Sequence, residues 1–426
     1  MLLIYSENTS PRLQYICKFI FAEILGIAYN ITLHKESFTD YDGPKINYSR
    51  QDALNGYTIK PALLLFESIA VPQDLKLSGN GETTQIFCTQ NADHSFDVFA
   101  AVFYLISRYE EYLPHELDMY GRFAHKNSIA FTHGFLHIPV VNIWIRELGE
   151  KLKRSYPALT MQMATFRFQP TYDIDIAWSY KEKGFLRNLG GFIMSPSIGR
   201  LTAWIGMQDD PFNSYQFLDD LHISNQLKPL YFFLVAKENG VYDKNILPSN
   251  QAMQRLIKEH GAKYKLGIHP SWKSNEEPLL LKEEKIKLED MSGQSISVSR
   301  QHYIKMSLPE TYRELISAGI TADYSMGYGS INGFRASVAS SFLWYDLKAE
   351  KISTLRVHPF CFMDANSFYE EKLSVDEAFD ELMEYYLICK KVSGTLITIF
   401  HNNFLGTANL FKGWRERYTK FISQVQ

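Results

Sequence analysis

From Ala164 onward, short apolar segments alternate with amphipathic helical ones, and this alternation restricts the fold more than any other feature. Parallel strands need long crossover connections, which helices supply, so strand-then-helix repetition specifies an open parallel sheet or a parallel barrel. The sharpest unit is the last. Ser374 and Glu377 have the spacing of a capping box, and Val375, Ala378, Phe379, Leu382, Met383 and Tyr386 recur on one helical face. Gly394 ends that helix, and the apolar stretch 395–400 (TLITIF) then delivers His401. Further strands are predicted over 228–235, 264–269, 296–300, 320–324 and 355–358. Helices are predicted over 250–260, stopped by Gly261, and over 309–318, which opens on proline and ends before Gly319.

The preceding residues read as a smaller α/β unit. Strands are predicted over 2–5, 29–33 and 57–66, and helices over 11–25, 95–113 and 140–152. In the second helix Phe96, Phe99, Ala100, Phe103 and Ile106 fall at helical spacing. A chain of 426 residues exceeds one ordinary core, and the polar stretch KRSYPALTMQ marks a boundary between an N-terminal domain, 1–160, and a β/α unit, barrel or open sheet, 164–426. A net charge of −3 leaves no electrostatic footprint for nucleic acid or an anionic membrane. Cys17, Cys88, Cys361 and Cys389 form no CxxC pair, which argues against a disulfide framework or a structural zinc site and fits a reducing compartment. Arg12, Lys18 and Glu23 interrupt the apolar N-terminus, so it does not read as a signal peptide. No run approaches the roughly 20 apolar residues of a membrane span, and a cytoplasmic location is expected. Tyr (26) and Phe (29) are abundant, and such rings either line carbohydrate sites or fill cores.

Chemistry concentrates at predicted strand ends. In TFRFQPTYDID, residues 165–175, an extended backbone puts Asp173 and Asp175 on one face. Two such carboxylates split their pKa values, or divide the roles of metal ligand and base. The alternative is a strand-end turn, where aspartate bonds the local backbone. His269, Arg300 with His302, Asp323 and His401 stand at other strand ends. In a parallel barrel those ends form the face that carries the active site. His358 sits at another end, Asp209 and Asp210 are expected to cap a helix, and SRYEEY (107–112) reads as a solvated helix end or an interdomain contact.

In this order the segments resemble the NodB-homology polysaccharide deacetylases. The resemblance covers about Ala164 to the C-terminus and implies a distorted parallel (β/α) barrel that removes acetyl groups from glycans with a divalent metal. Thr171-Tyr172-Asp173-Ile174-Asp175 resembles the first motif, implying Asp173 as catalytic base and Asp175 as a metal ligand. GIHPSWKSN resembles the second, with His269 as a ligand and Ser271 and Trp272 beside the substrate. Lys273 stands where the family has a second histidine, so the resemblance leaves His302, Asn275 or a water to fill that position. Arg300-Gln301-His302-Tyr303 resembles the third motif, in which the arginine orients the base and a backbone N–H near Tyr303 faces the oxyanion. Asp323 is the candidate acid of the fourth motif, and Arg335, in GFRAS, competes with Arg300. ITIFHN resembles the fifth motif and implies His401 as general acid.

Zinc suits mixed carboxylate and imidazole donors, with cobalt, nickel or manganese as alternatives. The expected substrate is an acetylated amino sugar or glycan precursor. The whole chain also resembles Bacteroidetes-type proteins that join such a barrel to an uncharacterised N-terminal domain. Two rival readings remain: a barrel that only binds glycan or a protein partner, and a metal-free glycoside hydrolase using paired carboxylates.

Overall fold

The computed structural model describes residues 1–181 and 208–425. Its N-terminal strands are β1 (Leu2–Ser6), β2 (Tyr29–Thr32), β3 (Lys45–Tyr48) and β4 (Tyr57–Thr58), in a parallel sheet of order β2-β1-β3-β4. The strand expected over 57–66 is therefore two residues long. Pro61, which has no N–H to give a ladder, separates it from a 3₁₀ turn at Leu63–Phe66. The helix Pro11–Cys17 starts where the Ser10 side chain accepts from the Leu13 N–H, and it continues as a π-helical turn, Lys18–Ile24. The helix expected over 95–113 is α-helical only over Val98–Ile106, where Asp97 caps the Phe99 and Ala100 N–H groups.

Among the described residues a second sheet holds nine strands: β5 (Arg167–Ile174), β6 (Leu230–Leu234), β7 (Lys265–His269), β8 (Val298–Ser299), β9 (Ala322–Asp323), β10 (Phe342–Asp346), β11 (Lys351–Val357), β12 (Phe362–Met363) and β13 (Thr395–His401). Its order is β10-β11-β9-β8-β7-β6-β5-β13-β12, and only β10 runs antiparallel to its neighbour. The sheet is mixed α/β and curled, a half-barrel rather than a closed parallel barrel. The chain between β11 and β12 crosses the gap. The His358 N–H donates to Asp323 O at 2.8 Å, the Phe360 N–H to Met326 O at 3.2 Å and the Cys361 N–H to Ile397 O at 3.4 Å.

Inside the curl, Leu230, Phe232, Val298, Phe360, Ile397 and Ile399 form one buried cluster. The Phe232 ring occupies the place where a Cβ at position 267 would stand, which is why β7 carries glycine there. The helix Val375–Lys391 opens on the expected capping box, with both of its reciprocal hydrogen bonds present. The helix Gln251–Lys263 instead runs through Gly261. A Cβ at Gly261 would lie 2.7 Å from Ser292 O, so that glycine serves close approach to the helix Pro278–Ser292 rather than a stop.

The two sheets share one apolar core. Tyr15 packs on Tyr345 and Phe19 on Phe342, with ring centroids 5.1 and 6.4 Å apart, and Arg12 pairs with Glu350 at 2.5 Å. The stretch 107–112 is buried rather than solvated. Glu111 pairs with Arg108 at 2.7 Å and with Arg335 at 2.6 Å, joining the N-terminal unit to the loop after β9. Removing one partner of such a buried pair costs about 3–5 kcal/mol, because the other charge stays desolvated.

Candidate active site

At the C-terminal end of the strands lies a cavity of about 480 Å³, lined by Asp173, Asp175, His269, His302, Tyr303 and His401 among others. Register explains much of this convergence. Asp173 on β5 pairs with His401 on β13 and with Phe232 on β6, and His269 on β7 pairs with Leu234, two residues further along β6 and on the same face. Paired residues in a parallel sheet share a face, so Asp173 and His401 both point inward.

Asp175 is the centre of the cluster. Its Oδ1 lies 3.1 Å from His269 Nε2, and its Oδ2 lies 3.5 Å from both His302 Nε2 and His401 Nε2. Each ring presents Nε2 because Nδ1 is held behind it: His269 by the Arg300 carbonyl at 2.6 Å, His302 by Asp243 at 3.0 Å and His401 by Asp364 at 2.6 Å. Burial raises the Asp175 carboxyl, but the three imidazoles outweigh it and hold the group well below the usual carboxylate range. Burial lowers His302, yet Asp175 and Asp243 carry it up to about 9. His401 is also raised, with Asp364 and Asp175 overcoming burial.

Asp173 sits beside this group, its Oδ2 3.8 Å from His269 Nε2 and its Oδ1 2.7 Å from Arg300 Nη1. Arg300 is fully buried, lies over the Phe232 ring at 4.3 Å and donates from Nε to Tyr324 O at 3.0 Å. It is fixed before it touches Asp173.

A divalent metal fits this donor set. Donor atoms of Asp175, His269 and His302 lie within 4.8 Å of one another. Asp175 Oδ1 is buried without a hydrogen-bond partner, and an acceptor in that position suits a cation. Imidazoles whose Nδ1 atoms meet carboxylates or carbonyls are the usual second layer of a metal site. His401 is more open than His269 or His302.

Other expected residues are elsewhere. Lys273 is exposed and pairs with Glu238, away from the cluster. Asp323 does not line the cavity. It is fully buried and accepts from the Ser299 and Ser325 hydroxyls at 2.9 and 2.8 Å, so it ties β8 to β9 rather than binding substrate. Arg335 is likewise buried and engaged by Glu111 and by Gly327 O, which leaves Arg300 as the partner of Asp173. Ser271 is buried behind the site, its N–H donated to Glu284 at 2.9 Å. Trp272 does not line the cavity but stacks on Tyr242, with centroids 3.9 Å apart. His358 lies at the opposite end of the sheet, stacked on Tyr324. Among the described residues Asp210 caps no helix. It gathers the N–H groups of Ser179, Tyr180 and Lys181, each at 2.8 Å.

Asp243 and Asp364 escape a sequence reading. Asp243 lies in a loop without periodic signal, and Asp364 follows the two-residue strand β12.

Residues 2–157 match a family of unknown function (DUF7033). No curated protein matches the chain. Among solved structures, the chain is similar to a protein from Mycobacterium smegmatis assigned as a polysaccharide deacetylase, at 13% identity and TM-score 0.41 over 62% of this chain and 84% of that one. It is similar to Puue allantoinase at 12% identity and TM-score 0.40, over 61% and 84% of the two chains. The polysaccharide deacetylase Bc1974 from Bacillus cereus follows at 11% identity and TM-score 0.31, over 61% and 87%. Likeness this distant carries no inference about activity, which rests on the geometry of the site.

Proposed function

We propose that this protein is a metal-dependent hydrolase that removes an acetyl group from an amino sugar or related glycan precursor. The observation that carries the reading is the convergence of three imidazole Nε2 atoms on Asp175, beside a second carboxylate that Arg300 holds in place. Asp175, His269 and His302 would hold the ion. When bound, it supplies Lewis-acid polarisation of the acetyl carbonyl and makes water a competent nucleophile near neutral pH.

The protein's own groups divide the proton work. Asp173, fixed by Arg300, accepts the proton of the attacking water. His401, held by Asp364 and open to the cavity, delivers a proton to the departing amine. An amide needs both steps, because its nitrogen leaves only after protonation. The order of the motifs TYDID, HPSW, RQHY and IFHN supports an acetylated sugar as the substrate class.

The test is acetate release from N-acetylglucosamine oligomers by zinc-loaded protein, alongside metal analysis. Release that disappears in Asp175→Ala and His269→Ala, with loss of zinc, supports the reading. Oligomers bound without acetate release favour a binding barrel, and reducing ends without acetate favour a glycosidase.

A further inference from the structure

We propose that the N-terminal unit completes this site, with Arg122 as a positioning residue for His302; the inference rests on the reading of Asp175, His269 and His302 as metal donors. The link is a hairpin tip outside the curled sheet. Leu117 and Phe123 form an antiparallel bridge, and Asp118 Oδ1 accepts from the N–H groups of Tyr120 and Arg122 at 2.9 and 3.0 Å. Gly121, at φ +75°, lets the chain reverse there.

This tip reaches the turn that presents His302. Arg122 is only 4% exposed; its Nε pairs with Asp118 Oδ2 at 2.6 Å, and its Nη1 donates to Tyr303 O at 2.6 Å. The accepting turn is strained: Tyr303 and Ile304 take φ +57° and +54°, and a β-branched residue rarely adopts that region. Such a conformation persists only where its surroundings impose it. The Tyr303 carbonyl belongs to the residue after His302, so holding it fixes the ring that faces Asp175. Gly329 makes room for this arrangement, since a Cβ there would overlap the Arg122 guanidinium.

The same tip walls the cavity. Tyr120 lies under the Arg122 guanidinium at 4.8 Å, with its ring centroid 5.5 Å from Tyr303 and 6.1 Å from Trp272. The next turn adds a second tether, His125 Nδ1 to Ser330 Oγ at 2.9 Å. An arginine suits the junction because its planar fork serves two acceptors in fixed directions, which a lysine ammonium does not.

The experiment measures zinc affinity of the full chain by competition with a chromophoric chelator, and the visible spectrum of the cobalt-loaded protein. It compares wild type with Arg122→Ala, Arg122→Lys and Gly329→Ala, and uses Asp175→Asn as the reference for a lost donor. Zinc affinity is expected to fall roughly 10- to 100-fold in the Arg122 variants, with a changed cobalt spectrum. Gly329→Ala, which keeps Arg122 but displaces it, is expected to move both in the same direction. If Arg122→Ala does not fold, Arg122→Lys and Gly329→Ala decide. Wild-type zinc affinity within about twofold and an unchanged spectrum in those variants overturn the inference while leaving the metal reading intact. Wild type no tighter than Asp175→Asn overturns both.

Discussion

The two ends of the curled sheet carry cavities of similar size, about 480 and 430 Å³, and each contains a histidine, yet among the described residues carboxylates line the first and not the second. At the C-terminal end, His302 and His401 face Asp175 with Asp243 and Asp364 behind them, and their pKa values rise despite burial. At the other end, His358 stacks face to face on Tyr324 at 4.4 Å. Burial lowers it to about 4, and the nearby charges that act on it, Arg356 and Lys265, push the same way. What separates the two ends is the pair of carboxylates that flank the His302 and His401 rings, which His358 lacks.

The largest effect that sharpens this contrast is expected in Asp175→Asn. It removes the charge that all three imidazoles face and should abolish both zinc binding and acetate release. Asp173→Asn should separate binding from catalysis. Zinc stays bound, while acetate release falls by about 10²- to 10⁴-fold, the usual range for a lost proton-transfer group. Asp364→Asn should leave zinc affinity unchanged and lower turnover on the order of 10- to 100-fold, because His401 loses the negative charge behind its ring and one of the two oxygens that accept from its Nδ1 and its backbone N–H.

The smallest effect is expected in His358→Gln, with turnover and zinc affinity as in wild type. A histidine whose folded pKa lies below its unfolded value near 6.5 binds fewer protons folded than unfolded. Stability therefore falls as pH drops from about 6.5 towards 4, and His358→Gln should remove part of that acid sensitivity in thermal melts. A loss of turnover in this variant would break the contrast between the two ends.

The parts of the site that the sequence makes legible are those written as pattern. Asp173 and Asp175 end an alternating strand, and His269 and His401 follow apolar runs, so periodicity places them. Asp243 and Asp364 have no such frame. The first sits in a loop, and the second follows a strand too short to alternate. Asp323 shows the opposite failure: a strand-end acid with the right spacing whose side chain turns into a buried hydroxyl pair. Arg300 and Arg335 are separable only once Glu111, 224 residues from Arg335, is seen to claim one of them. The parallel strand order is readable from β-α alternation, but the antiparallel β10 is set by packing against Tyr15 and Phe19. Tyr120 and Arg122 carry no periodic signal that links them to the turn at Tyr303.

On the proposed function, His302 is the donor that completes the metal site with Asp175 and His269. Calorimetric titration of zinc into wild type and His302→Ala tests it most directly. One ion per chain in wild type, with affinity at least about 100-fold weaker in His302→Ala, is the predicted result. Equal affinity in the two proteins, or no zinc bound by wild type, would contradict it.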